Sequence, residues 1–301
     1  MPIRPDWIAV DWGTSNLRVW AMGPEAILAE AASDEGMGGL QSSEFEAALL
    51  RLISPWLGDR PVPVIACGMV GSRQGWHEAP YRTVPCAPVD ASGLVSVPTR
   101  DPRIQVRIAP GLKQISPADV MRGEETQIAG ALALTPNFDG VLCLPGTHSK
   151  WAHVSAGEVV SFQTFMTGEM FALMSEQSVL RHGMQGGGWD DAAFDQGVAE
   201  ALSRPERLGA KLFSLRAEGL IAELDATAAR SRLSGLLIGV ELAASKPYWL
   251  GQSVALIGAE KLSRAYARAL AAQGVTARIL PGSECTLAGL ASLARQTEKT
   301  V

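Results

Sequence analysis

Five short segments bring together residue types that can hold a phosphate, a metal ion or a proton. The first is Asp11-Trp-Gly13-Thr14-Ser15-Asn16-Leu-Arg18. Gly13 lets the chain turn tightly, and the amides and hydroxyls of Thr14 and Ser15 can then donate to phosphate oxygens. Asp11 stands at the end of an apolar run, where its hard oxygens suit Mg²⁺, directly or through water. The same residues also fit an ordinary hairpin turn. The second segment, Leu144-Pro-Gly146-Thr147-His148-Ser149-Lys150, repeats the layout of apolar run, Gly-Thr turn and return strand. Two such turns facing each other can grip a polyphosphate from both sides. Lys150 can neutralise the transferring charge or remain a solvated lysine, and His148 reads as a loop hydrogen-bonder before it reads as a catalyst.

The third segment is Met121-Arg122-Gly123-Glu124-Glu125-Thr-Gln127. One of its adjacent carboxylates can take the proton of an attacking hydroxyl, and the other can serve the free amides of a helix start. Successive helical positions point about 100° apart, so only one of Glu124 and Glu125 faces a given site. The fourth, Gly68-Met-Val-Gly71-Ser72-Arg73-Gln-Gly75-Trp76-His77-Glu78, reads as a sugar-acid pocket. In it Arg73 can fork onto a carboxylate and Trp76 can offer an apolar face to sugar carbons, while Arg122 either joins that carboxylate or pairs with a neighbouring Glu; the same residues also fit a surface loop with a buried Trp. The fifth, Leu256-Ile-Gly258-Ala-Glu-Lys261, is a strand–Gly–helix junction that lets a flat ring approach the backbone.

The elements around these segments alternate between strand and helix. Apolar runs at 8–12 and 17–22 predict a hairpin about the first turn, followed by a glycine-rich loop at 34–39. Ser43 and Glu46 read as a capping box opening a helix that buries Phe45, Leu49, Leu52, Ile53 and Trp56. A strand over 62–67 leads into the Gly68 loop. Residues 82–117 read as strands and turns, and a helix is expected from about Asp119 to Leu134. The second half repeats the opening, with strands at 140–144, 150–154 and 159–164. Helices at 192–204, 216–231 and 233–244 follow, then a strand at 254–257 and a helix at 260–272. A strand at 275–280 and a helix at 286–295 close the chain. Two strand–turn–strand openings imply an internally duplicated α/β protein. Its expected domains are residues 1–136 and 137–301, with the last helix free to pack back on the first domain.

Composition narrows the class. With 47% apolar and 19% charged residues in 301, the chain can bury a substantial core. A net charge of −5 gives no electrostatic reason to expect nucleic acid. Cys67, Cys86, Cys143 and Cys285 are scattered and form no metal or disulfide pattern. Apolar runs are too short to span a bilayer and the N-terminus lacks a signal peptide's apolar core, so a cytoplasmic protein without a membrane partner is expected.

Asp11-x-Gly13-Thr14-Ser15-x-x-Arg18, the Gly146-Thr147 turn and the Gly258 junction resemble the two phosphate motifs and the adenosine motif of the actin/hexokinase superfamily. The longer segments Val10-Asp-Trp-Gly-Thr-Ser-Asn16, Gly68-Met-Val-Gly-Ser-Arg73, Met121-Arg-Gly-Glu-Glu125, Leu144-Pro-Gly-Thr-His-Ser-Lys150 and Ser234-Gly235-Leu-Leu-Ile-Gly239 are similar to the 2-dehydro-3-deoxygalactonokinase family. The resemblance implies two ribonuclease-H-like domains, each a mixed five-stranded sheet with helices, and an interdomain cleft. It implies transfer of the γ-phosphoryl of ATP, with Mg²⁺, to the terminal hydroxyl of 2-dehydro-3-deoxy-D-galactonate, in galactonate catabolism. Phosphate and nucleotide contacts would fall to Asp11, Gly13, Thr14, Ser15, Asn16, Gly146, Thr147, His148, Gly235 and Gly258. Substrate contacts would fall to Arg18, Gly38, Ser72, Arg73, Trp76 and Arg122, and catalysis to Glu124 or Glu125 with Lys150. Sugar kinases of this superfamily often use an aspartate base, whereas this chain offers the Glu124/Glu125 pair, which also resembles the catalytic glutamate of exopolyphosphatases. A phosphohydrolase, a nucleotide-dependent switch and a kinase for another keto-deoxy acid are the alternatives. A homodimer is compatible with all of them.

Overall fold

Residues of the first strand alternate between two apolar layers, as the period-2 geometry of a strand requires. Ile8, Val10 and Trp12 pack with Phe45, Ala48, Leu49 and Ile53 on one face. Ala9 packs with Ala129, Leu290 and Leu293 on the other. A strand buried on both sides must lie inside a sheet covered by helices on both faces. The protein, a computed structural model, describes residues 3–24 and 26–298.

The chain divides into two units. The first holds, among the described residues, the chain up to Asp139, Val154–Ser161 and everything from Gly282 onward. Its elements are β1 (Trp7–Trp12), β2 (Leu17–Met22), β3 (Ile27–Ser33), α1 (Phe45–Ile53), β4 (Val62–Gly68), β5 (Arg82–Thr83), β6 (Val95–Ser96), β7 (Ile104–Ile108), β8 (Leu112–Gln114), β9 (Asp119–Met121) and α2 (Glu124–Leu134). The main sheet runs β3-β2-β1-β4-β7-β6, with β1, β4 and β7 parallel and β2 and β3 antiparallel. Its first five strands form the expected mixed sheet, and β6 adds a two-residue sixth edge strand. A small sheet, β5-β8-β9, stands apart.

The second unit holds Gly140–His153 and Phe162–Pro281. In chain order the remaining elements are β10 (Gly140–Leu144), β11 (Ser149–Ser155), β12 (Glu158–Phe165), α3 (Thr167–Glu176), α4 (Asp191–Ser203), α5 (Leu208–Ile221), α6 (Ala226–Ala244), α7 (Lys246–Trp249), β13 (Val254–Gly258), α8 (Glu260–Ala271), β14 (Arg278–Pro281) and α9 (Gly282–Glu298). The sheet order β12-β11-β10-β13-β14 is the order of the first unit's five strands, third-second-first-fourth-fifth. Each unit is thus ribonuclease-H-like. The helix α9 packs on α2 in the first unit.

Four local expectations are corrected. The Ser43/Glu46 capping box does not form. Instead Glu44 precedes α1 and takes the Gln41 amide, and Glu46 reaches the amides of Arg100 and Asp101 at 2.8 and 2.7 Å. The helix expected from Asp119 starts only at Glu124, because 119–121 pair with β8 as β9. The helix expected over 216–231 is two helices. The first ends at Ile221, and Asp225 caps α6, its carboxylate accepting from Thr227 and Ala228 amides at 2.8 and 3.0 Å. The third strand, Ile27–Ser33, lies where the sequence reading placed nothing.

Candidate active site

The first turn joins β1 to β2 in register, with Asp11 opposite Arg18. The Gly13 amide donates to the Asn16 carbonyl at 2.9 Å, closing a turn that leaves Thr14, Ser15 and Asn16 exposed. The Gly36–Gly39 segment braces it from behind. Met37 donates to the Gly13 carbonyl at 3.0 Å and Gly38 to that of Thr14 at 2.9 Å. Gly38, expected to contact substrate, is exposed and also supports the Gly13–Asn16 turn through its backbone. Asp11 lies 3.3 Å from the Arg18 guanidinium. Burial raises its carboxyl above the usual range, and Arg18 partly offsets that.

Beside Asp11 the parallel strand β4 places Cys67, and Gly68 follows opposite Trp12. Gly68 has φ +93° and Gly123 has φ +100°, conformations that side chains rarely adopt. A Cβ on Gly68 would lie 2.6 Å from the Trp12 carbonyl, and one on Gly123 would lie 3.3 Å from the Gly68 Cα. Backbone therefore packs on backbone, which brings the start of α2 to the ends of β1 and β4. Here the two glutamates separate. Glu125 is fully buried, taking the Gly123 amide at 2.6 Å and the Thr126 hydroxyl at 2.9 Å. Burial, then the neighbouring Glu124, push it up to about 7. Glu124 is half-exposed, its carboxylate taking the Arg122 amide at 3.0 Å.

The Gly68–Tyr81 loop is more structural than its residue types imply. Trp76 is half-buried against Trp12 and Phe45, with ring centroids 6.2 and 6.4 Å away, so its aromatic surface is largely committed to the core. Arg122 is buried: it donates to the Ala79 carbonyl at 2.6 Å and lies 4.4 Å from the Tyr81 ring centre. Its Nε and Nη1, and the Ser72 hydroxyl, are enclosed without a hydrogen-bond partner among the described residues. Arg122 and Ser72, both expected to contact substrate, are thus buried within the loop with polar atoms to spare. Arg73 is exposed, with Glu78 at 3.8 Å.

In the second unit the Gly146-Thr147 turn, the start of α3 and the β13–α8 junction converge. A Cβ on Gly258 would lie 3.3 Å from the Pro145 carbonyl, so that junction rests on the turn. Glu169 donates its amide to the Thr147 carbonyl at 2.9 Å, and its carboxylate meets His148 Nε2 at 2.6 Å. Around them opens a pocket of about 430 Å³, with Gly146, Thr147 and Thr167 at one side and Trp189, Phe171 and Leu237 among its apolar walls. Arg230, stacked over the Phe171 ring at 4.8 Å, and Lys261 bring positive charge. Polar groups at one side and apolar surface elsewhere suit a molecule that is flat and apolar at one end and anionic at the other.

Comparison with known proteins shows the family. The family model described as 2-keto-3-deoxy-galactonokinase matches residues 11–293. The chain belongs to that family. A Rhizobium meliloti (strain 1021) relative named "Probable 2-dehydro-3-deoxygalactonokinase DgoK1" is 38% identical over 96% of each chain. The 2-dehydro-3-deoxygalactonokinase of Escherichia coli (strain K12) is 34% identical over 96% of this chain and 97% of its own. A solved Sinorhizobium meliloti protein, provisionally named a 2-dehydro-3-deoxygalactonokinase, superposes with a TM-score of 0.89 at 38% identity, covering 97% of this chain and 99% of that one.

Within this member of the 2-keto-3-deoxy-galactonokinase family, the expected residues Gly235 and Lys150 of the second unit lie outside the lining of the pocket. Gly235 is in the α4–α6 contact, where a Cβ would strike the Phe194 carbonyl, and its neighbour Ser234 lines the pocket instead. Lys150 is buried on β11 and lines no part of the pocket. Thr167, Trp189, Arg230 and Tyr266 line the pocket without having been singled out. Only Thr167 carried a usable signal, as a Thr-Gly pair directly after a strand.

Proposed function

We propose that this sugar-acid kinase transfers the γ-phosphoryl of ATP to the terminal hydroxyl of 2-dehydro-3-deoxy-D-galactonate, giving the 6-phosphate. The observation that carries phosphoryl transfer is the convergence of the Gly146-Thr147 turn and the β13–Gly258–α8 junction on one 430 Å³ pocket. The acceptor follows from membership of the family. The pocket receives the adenosine, while Thr147 and Thr167 meet its phosphates. Thr14 and Ser15 present exposed hydroxyls and amides for the transferring group. Glu124, the accessible carboxylate, orients the attacking hydroxyl and takes its proton as the new P–O bond forms and the bond to ADP breaks. Arg73 meets the substrate carboxylate, and Arg122 behind it holds the loop.

Among the described residues no cluster of three or more His, Cys, Asp or Glu could hold a metal by itself. Mg²⁺ itself keeps waters and phosphate oxygens and needs only one or two carboxylates. Asp11 is the donor that suits it, and the bound ion would neutralise charge on the phosphates. No helix among the described residues is long and apolar enough to cross a membrane.

A coupled assay over a panel of keto-deoxy sugar acids tests the reading. ATP consumption is expected to be weak alone and to rise at least tenfold with the galactonate-derived acid. Equal consumption with and without every acid would overturn it, and phosphate release from polyphosphate without sugar would replace it with a hydrolase.

A further inference from the structure

One charged residue interrupts the apolar stretch of α6. Glu241 is only 1% exposed and does not itself line the pocket. Its carboxylate collects donors from three other elements. Trp151 Nε1 on β11 donates at 2.7 Å, the Tyr266 hydroxyl on α8 donates at 2.7 Å, and the Thr167 hydroxyl at the start of α3 donates as well. The Tyr266 hydroxyl is also 2.9 Å from the Ser149 hydroxyl on β11.

Two of these partners, Thr167 and Tyr266, line the pocket, and the other two lie on the strand that leaves the Gly146-Thr147 turn. The first turn of α3 rests directly on that phosphate turn. A Cβ on Gly168 would strike the Gly146 carbonyl and lie 2.8 Å from the Thr147 Cα. One buried carboxylate therefore ties together the strand after the turn, the helix start pressed against it and the pocket wall.

Stability alone does not account for such a group. Removing a carboxylate from water costs several kcal/mol, and well-packed apolar residues often replace buried ionic networks without loss. Burial pushes the Glu241 carboxyl up, and its hydroxyl and indole donors work the other way. What apolar packing lacks is direction: three donors aimed at two oxygens fix the orientation of each contributing side chain.

We propose that Glu241 is a positioning residue for the nucleotide, holding Thr167, Tyr266 and the Gly146-Thr147 turn in the geometry that receives the phosphates. The inference rests on reading this pocket as the nucleotide site. Its test is calorimetric binding of ATP to the full chain, with KM for the sugar acid measured alongside. Glu241→Ala is expected to weaken ATP binding at least tenfold while the sugar-acid KM stays within twofold. Glu241→Gln should recover most of the affinity, since its carbonyl can accept from Trp151 and its amide can donate to both hydroxyls. A merely structural role would lower the melting temperature without this selective loss, so folded Glu241→Ala with wild-type ATP affinity overturns the proposal. Should that variant not fold, Trp151→Phe removes one donor away from the pocket: a selective loss of ATP affinity supports the proposal and unchanged affinity overturns it. Wild-type protein that binds no nucleotide would overturn the reading of the pocket itself, and the inference with it.

Discussion

Glu124→Gln is expected to lower kcat by about 10²–10⁴-fold, the range that general acid–base groups contribute, while Glu125→Gln keeps kcat within tenfold. A carboxyl poised near neutrality is often the mark of a general base, and by that criterion alone Glu125, at about 7, would be chosen. Its surroundings argue otherwise. Both its oxygens are engaged, by the Gly123 amide and the Thr126 hydroxyl, and it has no exposed surface to meet a substrate. Its raised value reports enclosure first and the Glu124 charge second. The same shift predicts a pH signature. A carboxyl that binds its proton more tightly folded than unfolded contributes stability that is complete below about 4.5 and is lost as pH rises through about 7. The interval corresponds to about 3 kcal/mol. Glutamine mimics the protonated form, accepting from Gly123 and donating to Thr126. Chemical denaturation should therefore show Glu125→Gln gaining on the wild type between pH 5 and pH 8, in roughly that amount. Inactive Glu125→Gln beside active Glu124→Gln would exchange the two roles.

The segments with strong local chemistry were legible. Apolar runs ended by Gly-Thr predicted both hairpins, and each hairpin opens a sheet with the same strand order. What was not legible depends on partners far along the chain. Ile27–Ser33 holds three alanines and a glutamate, poor strand formers, and becomes a strand because β2 offers it an edge. Asp119–Met121 is too short to show a period and exists through its pairing with β8. The break between α5 and α6 was visible in principle, since Asp225 is a strong cap residue. The surrounding apolar periodicity simply ran through it.

Site residues divide along the same line. Thr14 and Thr147 lie in turns that their neighbouring glycines let close, and Asp11 stands on the strand that enters the first of them. Arg122 and Trp76 have types that suit a ligand, and each is also held by the fold: the Ala79 carbonyl and Tyr81 for one, Trp12 and Phe45 for the other. Residue type says what a side chain can bind. Burial decides whether a ligand or the fold gets it.

Gly130→Ala is the substitution expected to cost the fold most, and the sign is a contest between two effects. Alanine is the better helix former by about 1 kcal/mol, so in an open helix the change would stabilise. In α2, however, the new Cβ would strike the Cys285 carbonyl and lie 2.8 Å from the Gly289 amide nitrogen, both on α9. Gly289 answers from the other side, where a Cβ would strike the Thr126 carbonyl. The obstacles are backbone atoms of a packed helix, so no rotamer change relieves them. α9 must move off α2, uncovering Ala129, Leu290 and Leu293 beneath the sheet. Overpacking costs about 1–3 kcal/mol where side chains can adjust, and more is expected where they cannot. A net loss of about 3 kcal/mol corresponds to a melting temperature lower by roughly 6–12 °C. Gly209→Ala in α5, whose Cβ meets nothing within 4 Å, is the control and should be neutral or slightly stabilising. If both variants melt together, the two helices do not approach closely enough for glycine to matter. Because Glu124 opens α2, that outcome would also remove one reason for its fixed position at the ends of β1 and β4.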